Sequence, residues 1–307
     1  MNNRSKTSDS NNIAGRFAPS PTGAPHFGTL LAAVASFVHA RASGAVWRVR
    51  IEDLDQDRIM PGAADQMLHT LEACILHWDG PVVYQSQRNT AYEAALEDLL
   101  QRGLAFACGC SRKDLQDAKS GPEGPIYPGT CRQGLPPGRT ARSYRLRVTD
   151  EDICFDDLVL GCVCQNLAHE VGDFVIRRAD GYFAYQLAVV VDDAWQQITQ
   201  VVRGADLLAS TQRQIFLQRQ LGLPTPLYLH FPLILGPDGK KLSKSEDSPP
   251  VDLRHPERLL HLALSVLGQD PPDGKAEELL AWAVENWRPS AIPAVATLPY
   301  SVLSSLT

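Results

Sequence analysis

An α/β fold with an open, largely parallel sheet is the class this sequence predicts, and three observations predict it. Residues 16–51 read as strand, glycine-containing turn, apolar helix and strand. From residue 105 helical periodicity stops and Gly, Pro and Cys punctuate the text, as in an inserted segment. Continuous apolar runs return beyond residue 172.

In chain order, residues 1–12 are polar from Met1-Asn2-Asn3-Arg4 onward and read as a disordered tail rather than a signal peptide. A strand at Arg16–Ala18 runs into Pro19-Ser20-Pro21-Thr22-Gly23 and then His26-Phe27-Gly28-Thr29. The apolar run Leu30–Val38 continues as a helix to Ser43-Gly44, where the glycine stops it, and Trp47–Ile51 alternates as a strand. This βαβ unit sets His26 and the N–H groups near Gly28 at a helix N-terminus, where unpaired donors and the helix dipole attract a polyphosphate. Helical periodicity over Gly62–Leu76 and Thr90–Leu100, closed by Gly103, completes the first half of a Rossmann-like catalytic domain, residues 13–104.

Residues 105–172 are expected to form the inserted domain, with glycine- and proline-rich text at 121–125 and 134–138 and a strand at Ser143–Val148. The sheet is expected to resume at Asp173–Ile176 and at Ala188–Asp193, the latter as a buried parallel strand, within a second half at 173–250. Short helices over Pro256–Leu267 and Lys275–Trp287 are expected in a C-terminal region, 251–307.

The chain has 307 residues, 44% of them hydrophobic, which suffices for a full core. Its net charge of −6 means that any contact with nucleic acid needs a local basic patch. No apolar run is long enough to span a bilayer, so a cytoplasmic protein without membrane contact is expected. Seven cysteines without a secreted-domain framework favour reduced thiols and metal binding over disulfides.

Two distant segments carry the chemistry. Besides the turn at His26 and Gly28, the polar loop Lys241-Leu242-Ser243-Lys244-Ser245 supplies lysines. Alone such a loop reads as a solvated turn; paired with the upstream turn it completes an ATP-consuming, adenylate-forming site with His26, Lys241 and Lys244 as catalytic groups and His26, Gly28 and Lys244 on the nucleotide. Cys108-Gly109-Cys110 followed by Tyr127 and Cys131 gathers three thiolates and one oxygen, enough for a four-coordinate zinc. Spacing leaves Cys162-Val163-Cys164 as a rival pair; Cys74, Cys154, Cys162 and Cys164 read otherwise as packing residues. Only His26 among eight histidines has a motif around it, and His230 is grouped with the surface or core residues.

Arg16-Phe17-Ala18-Pro19-Ser20-Pro21-Thr22-Gly23, His26-Phe27-Gly28-Thr29, Arg50-Ile51-Glu52-Asp53-Leu54-Asp55, Val191-Asp192-Asp193, Arg203-Gly204-Ala205-Asp206 and the lysine loop occur in the order seen in class I glutamyl-tRNA synthetases, whose catalytic core the chain resembles from about Gly15 to Ser245. About sixty residues follow Lys244, too few for the anticodon-binding region of a full synthetase, and the shortened form is similar to the paralogous family that attaches glutamate to the queuosine base of tRNA(Asp). The resemblance implies ATP with Mg2+, L-glutamate and queuosine-containing tRNA(Asp) as partners, a monomer, and a structural zinc on Cys108, Cys110, Tyr127 and Cys131. It implies a glutamate pocket built from Arg16, Phe17, Ala18, Pro19, Ser20, Glu52, Tyr185 and Arg203. In chemical terms Arg16 and Arg203 offer forked donors to a carboxylate, and Glu52 a countercharge to an ammonium. Glu52 capping a helix or pairing with Arg50, and Tyr185 packing in the core, are the plainer alternatives. A minimal synthetase charging a tRNA 3′ end and a non-catalytic, zinc-stabilised tRNA-binding module are the rival functions.

Overall fold

The computed structural model describes residues 13–239 and 251–305. The expected tail at 1–12 and the lysine loop with Lys241 and Lys244 lie outside the described residues.

The chain opens with strand β1 (Ala14–Phe17), helix α1 (Phe27–Ala42) and strand β2 (Val46–Ile51), the βαβ unit expected from its text. Gly44, at φ 69°, takes the left-handed conformation that ends α1. Helix α2 (Ala63–Ala73), strand β3 (Val83–Tyr84), helix α3 (Asn89–Gln101) and strand β4 (Ala105–Cys108) follow. Next come a two-stranded ribbon, β5 (Ser120–Gly121) with β6 (Gly124–Pro125), and strands β7 (Ser143–Leu146), β8 (Asp152–Asp157) and β9 (Gly161–Asn166). Helix α4 (Leu167–Glu170), strand β10 (Val175–Arg177), helix α5 (Tyr185–Trp195), strand β11 (Gln200–Gly204), helix α6 (Thr211–Leu221), and strands β12 (Leu227–Phe231) and β13 (Leu233–Ile234) complete the stretch up to residue 239. From residue 251 onward lie α7 (Pro256–Val266), α8 (Ala276–Asn286), β14 (Thr297–Leu298) and α9 (Ser301–Ser305).

The main sheet has the order β3-β2-β1-β11-β12-β8-β9, parallel from β3 to β8, with β9 antiparallel at its edge. On one face, Leu30, Leu31, Val34 and Val38 of α1 pack under Leu260 and Leu264 of α7 and Leu279 of α8. On the other, Leu96 of α3, Leu187 and Val190 of α5 and Ile215 of α6 form a second core. Burial of apolar side chains on both faces is what a parallel sheet requires. Among the described residues no helix is long and apolar enough to cross a membrane.

Two expectations are corrected. Ala188–Asp193 is not a strand but the middle of α5, and the strand beside β1 is β11. Leu187, Ala188, Val189 and Val190 are all buried between the sheet and neighbouring helices, so the helix shows no polar stripe here, and a short apolar run fully buried looks alike in either conformation. Val175–Arg177, expected to resume the main sheet, instead pairs antiparallel with β7 in a three-stranded sheet β10-β7-β4. Local pattern identifies a strand but not its partner. Within residues 105–172, β8 and β9 join the main sheet, with Asp157 paired to Tyr228 of β12.

Candidate active site

A cavity opens where β1 and β11 end and α1 begins. β1 has β2 on one side and β11 on the other, so the strand order reverses here, the place where open parallel sheets bind ligands. Of the residues expected at the site, Arg16, Phe17, Ala18, Pro19, Ser20, His26, Gly28 and Arg203 all line this one cavity. Glu52 and Tyr185 are not among its lining residues: Glu52 pairs with Arg50, and the Tyr185 hydroxyl lies 3.4 Å from Arg203.

His26 caps α1. Its Nδ1 accepts the Thr29 N–H at 3.3 Å, and Nε2 lies 3.2 Å from Thr29 Oγ1. A Cβ at position 28 would come within 3.0 Å of His26 Cε1, so Gly28 is what lets the ring fold over the first turn. That turn carries no acidic residue, which leaves the positive helix end available to an anion at the cavity.

The left wall is a charge-balanced network. Asp193 Oδ1 accepts Arg16 Nε at 3.2 Å and an Arg50 terminal nitrogen at 2.8 Å, and Arg50 also donates to Glu52 Oε1 at 3.2 Å. Burial opposes ionisation of Asp193, but Arg16 and Arg50 outweigh it and hold the carboxyl below its ordinary value. Glu52 goes the other way: burial pushes its carboxyl up, only partly offset by Arg50 and Arg16. Asp192, fully buried, accepts from Gln85 at 2.9 Å, Arg88 at 2.6 Å and Tyr92 at 2.6 Å, tying α5 to α3 and the turn before it. Glu52 pairs with Arg50, the plainer of its readings, and ionisation of the Tyr185 hydroxyl is resisted first by burial.

The right wall is different. Arg203, at 5% exposure, donates only to neutral groups: Nε to His230 Nε2 at 3.0 Å, one terminal nitrogen to Gln214 at 2.8 Å and Tyr185 Oη at 3.4 Å, the other to Thr211 at 2.9 Å and the Leu207 carbonyl at 3.3 Å. Among the described residues no carboxylate forms an ion pair with it. Each terminal nitrogen thus has one short and one long partner. His230, which carries no sequence motif, is fully buried behind Arg203, with Nδ1 2.7 Å from Asp157 Oδ2. Neither Asp157 nor His230 is flagged by sequence. Asp157 sits on β8, 73 positions away, in the stretch set apart as an insertion.

Cys108, Cys110 and Cys131 are buried with their sulfurs all within 4.8 Å of one another. The Cys110 and Cys131 sulfurs are 3.7 Å apart, and the Tyr127 hydroxyl lies 3.4 Å from Cys108 and 3.9 Å from Cys110. Tetrahedral zinc with Zn–S of about 2.3 Å sets its sulfurs about 3.8 Å apart, so the cluster fits a zinc ion. Burial resists ionisation of Cys108, but hydrogen bonds from Tyr127, the Cys110 backbone and Arg145 bring its thiol to about 7. Burial pushes the Tyr127 phenol up.

The rival pair is spoken for elsewhere. The β8–β9 register sets Cys154 opposite Cys164, and the two form a disulfide. That corrects both the expectation of reduced thiols throughout and the reading of Cys154, Cys162 and Cys164 as packing residues, since all three are exposed on an edge hairpin. Cys74 is buried, as expected.

Residues 12–255 match the family described as tRNA synthetases class I (E and Q), catalytic domain. The glutamyl-Q tRNA(Asp) synthetase of Dechloromonas aromatica is 54% identical over 286 residues, covering 91% of this chain and 95% of that protein. That of Pseudomonas paraeruginosa is 54% identical over 289 residues, covering 93% and 97%. The chain belongs to the glutamyl-Q tRNA(Asp) synthetase family. Among solved structures, a glutamate tRNA ligase from Elizabethkingia meningosepticum, in complex with its amino acid, superposes with a TM-score of 0.79 at 24% identity, covering 96% of this chain and 68% of that one, and so shares the fold. Membership in the glutamyl-Q tRNA(Asp) synthetases makes the chain a class I tRNA synthetase-like ligase.

Proposed function

We propose that this chain activates L-glutamate with ATP as glutamyl-adenylate and transfers the glutamyl group to the queuosine base in the anticodon of tRNA(Asp). The observation that carries the reading is the 54% identity to glutamyl-Q tRNA(Asp) synthetases along 95% of their length, joined to a cavity that holds a buried arginine paired with no carboxylate among the described residues.

In this reading the side-chain carboxylate of glutamate takes the two terminal nitrogens of Arg203, displacing the long contacts to Tyr185 and Leu207. The α-ammonium meets Glu52, and Arg16, held by Asp193, closes the opposite side with Ala18 and Ser20. ATP, as its Mg2+ complex, lies along the N-terminus of α1, where His26 and the backbone near Gly28 face its phosphates. An oxygen of the glutamate α-carboxylate attacks the α-phosphorus while the bond to pyrophosphate breaks; Lys244, with Lys241, neutralises charge on the phosphoryl group and on the departing pyrophosphate. A cis-diol hydroxyl of queuosine then attacks the adenylate carbonyl and AMP leaves, a step for which positioning supplies much of the rate.

Cys108, Cys110 and Cys131, with Tyr127 at the fourth corner, would hold one zinc. Such an ion would supply a fixed crosslink between β4 and residues 127–131.

Glutamate-dependent exchange of labelled pyrophosphate into ATP, assayed with and without tRNA, tests the first half. Exchange supported by glutamate and not by glutamine is the expected result, and no exchange under either condition would leave only the RNA-binding alternative.

A further inference from the structure

We infer that Asp157 and His230 act as a positioning pair for Arg203, with His230 locked as the neutral Nδ1–H tautomer, and that this pair sets the affinity for an acidic side chain and its discrimination from the amide. The inference rests on the reading of Arg203 as the receptor of the substrate's side-chain carboxylate.

The tautomer follows from the donors. A guanidinium Nε always carries its hydrogen, so at 3.0 Å from Arg203 Nε the His230 Nε2 must be the acceptor. The ring proton is then on Nδ1, pointing at Asp157 Oδ2 2.7 Å away. Asp157 is fixed in turn: Oδ1 accepts the backbone N–H groups of Val159 and Leu160, each at 3.0 Å, and Oδ2 that of His230 at 3.1 Å. Every group that meets the Asp157 carboxylate is thus a donor, which suits a charged acceptor and no other side chain. Burial and the adjacent Arg203 both disfavour a charged imidazole, and Asp157 only partly offsets them.

The consequence is mechanical and electrostatic. With Nε tied to His230, the guanidinium cannot rotate about its own plane, and its two terminal nitrogens keep their edge toward the cavity. The pair adds one negative charge behind an arginine that, among the described residues, pairs with no carboxylate directly, and the imidazole between them leaves the cavity side positive. A glutamine side chain would leave that charge unmatched in a dry site, which is the stronger kind of rejection. Asn at position 157 would place an amide N–H among the three backbone donors; turning instead toward His230, that amide would force the ring to accept at Nδ1 and carry its proton on Nε2, against Arg203.

The test compares Arg203→Ala, His230→Ala, His230→Gln and Asp157→Asn in pyrophosphate exchange, with nitrogen-15 NMR of the histidine ring in the parent and in Asp157→Asn. His230→Ala and Asp157→Asn should raise the glutamate KM by about one to two orders of magnitude, the range expected for a lost hydrogen bond to a charged group, and lower the preference for glutamate over glutamine, with kcat and the ATP KM little changed. His230→Gln, whose amide oxygen can accept from Arg203 Nε, should recover part of the affinity. The parent spectrum should show a protonated Nδ1 and a bare Nε2, and Asp157→Asn the reverse. A bare Nδ1 in the parent would overturn the inference even if a variant fails to fold. So would an unchanged glutamate KM in His230→Ala and Asp157→Asn alongside a raised one in Arg203→Ala. An unchanged KM in Arg203→Ala would instead overturn the reading of Arg203, and the inference with it.

Discussion

Arg16 on β1 and Asp193 on α5 meet at 3.2 Å across 177 positions of sequence, both buried, and the same carboxylate oxygen holds Arg50 at 2.8 Å. Arg16 therefore reaches the cavity already neutralised, whereas Arg203 does not. The two arginines that sequence treats as equivalent forks differ in their partners: Arg16 meets a carboxylate directly, and among the described residues Arg203 meets none directly.

Asp193→Asn removes the shared partner of two buried arginines, so it should destabilise the fold by about 3–5 kcal/mol, the cost of leaving buried charge uncompensated. Asp98→Asn, which breaks the exposed pair with Arg102 at 2.8 Å, should change stability by about 0.5 kcal/mol or less. Urea denaturation of both variants checks the contrast, and equal losses would contradict it.

Glu52 predicts a pH dependence. Its folded carboxyl titrates above the ordinary value of 4.5, so the stability it contributes is fully present below that value and is lost as pH rises through the folded one. Glu52→Gln should abolish this decline, its stability relative to the parent rising with pH. In the parent, an incoming ammonium favours the ionised carboxylate, so glutamate binding should release a proton and tighten as pH rises. Calorimetry in buffers of different ionisation enthalpy measures that proton; uptake instead of release would contradict the placement of the ammonium.

Lys244→Ala should lower pyrophosphate exchange by roughly 100-fold while the glutamate Kd stays near that of the parent, because the lysine meets charge that develops in the transition state. A rate within about tenfold of the parent would remove Lys244 from the chemistry.

One zinc per chain is expected by metal analysis, lost in Cys108→Ser and in Cys131→Ser. Binding of such an ion is worth on the order of 10 kcal/mol and couples to local folding, so chelation should also loosen the β4–β7 region in hydrogen exchange. Full zinc occupancy in both variants would refute the assignment.

What could be read from sequence alone was what is local. The His26-Phe27-Gly28 turn announces itself because cap, glycine and helix are contiguous, and α1, α2 and α3 carry their boundaries with them. Helix α5 was hidden because burial on all sides erased its stripe, and β10 because a strand does not name its neighbour. Asp157 and His230 could not be found for a third reason. Each is unremarkable in its own strand, and their meaning arises only when β8 and β12 lie side by side and bring Nδ1 to the carboxylate. The Cys154–Cys164 bond likewise depends on the register of a hairpin.

The acceptor is the centre of the proposed function, and one measurement addresses it directly: transfer of labelled glutamate to tRNA(Asp) with queuosine, without queuosine, after periodate, and after removal of the 3′-terminal adenosine. An unpaired anticodon-loop base can be splayed into a single active site at an unstacking cost of a few kcal/mol, so its ribose-like diol can reach a bound adenylate. Label on queuosine-containing tRNA that survives loss of the terminal adenosine, with none on queuosine-free or periodate-treated tRNA, is the predicted result. Label on the terminal ribose, independent of queuosine, would contradict it.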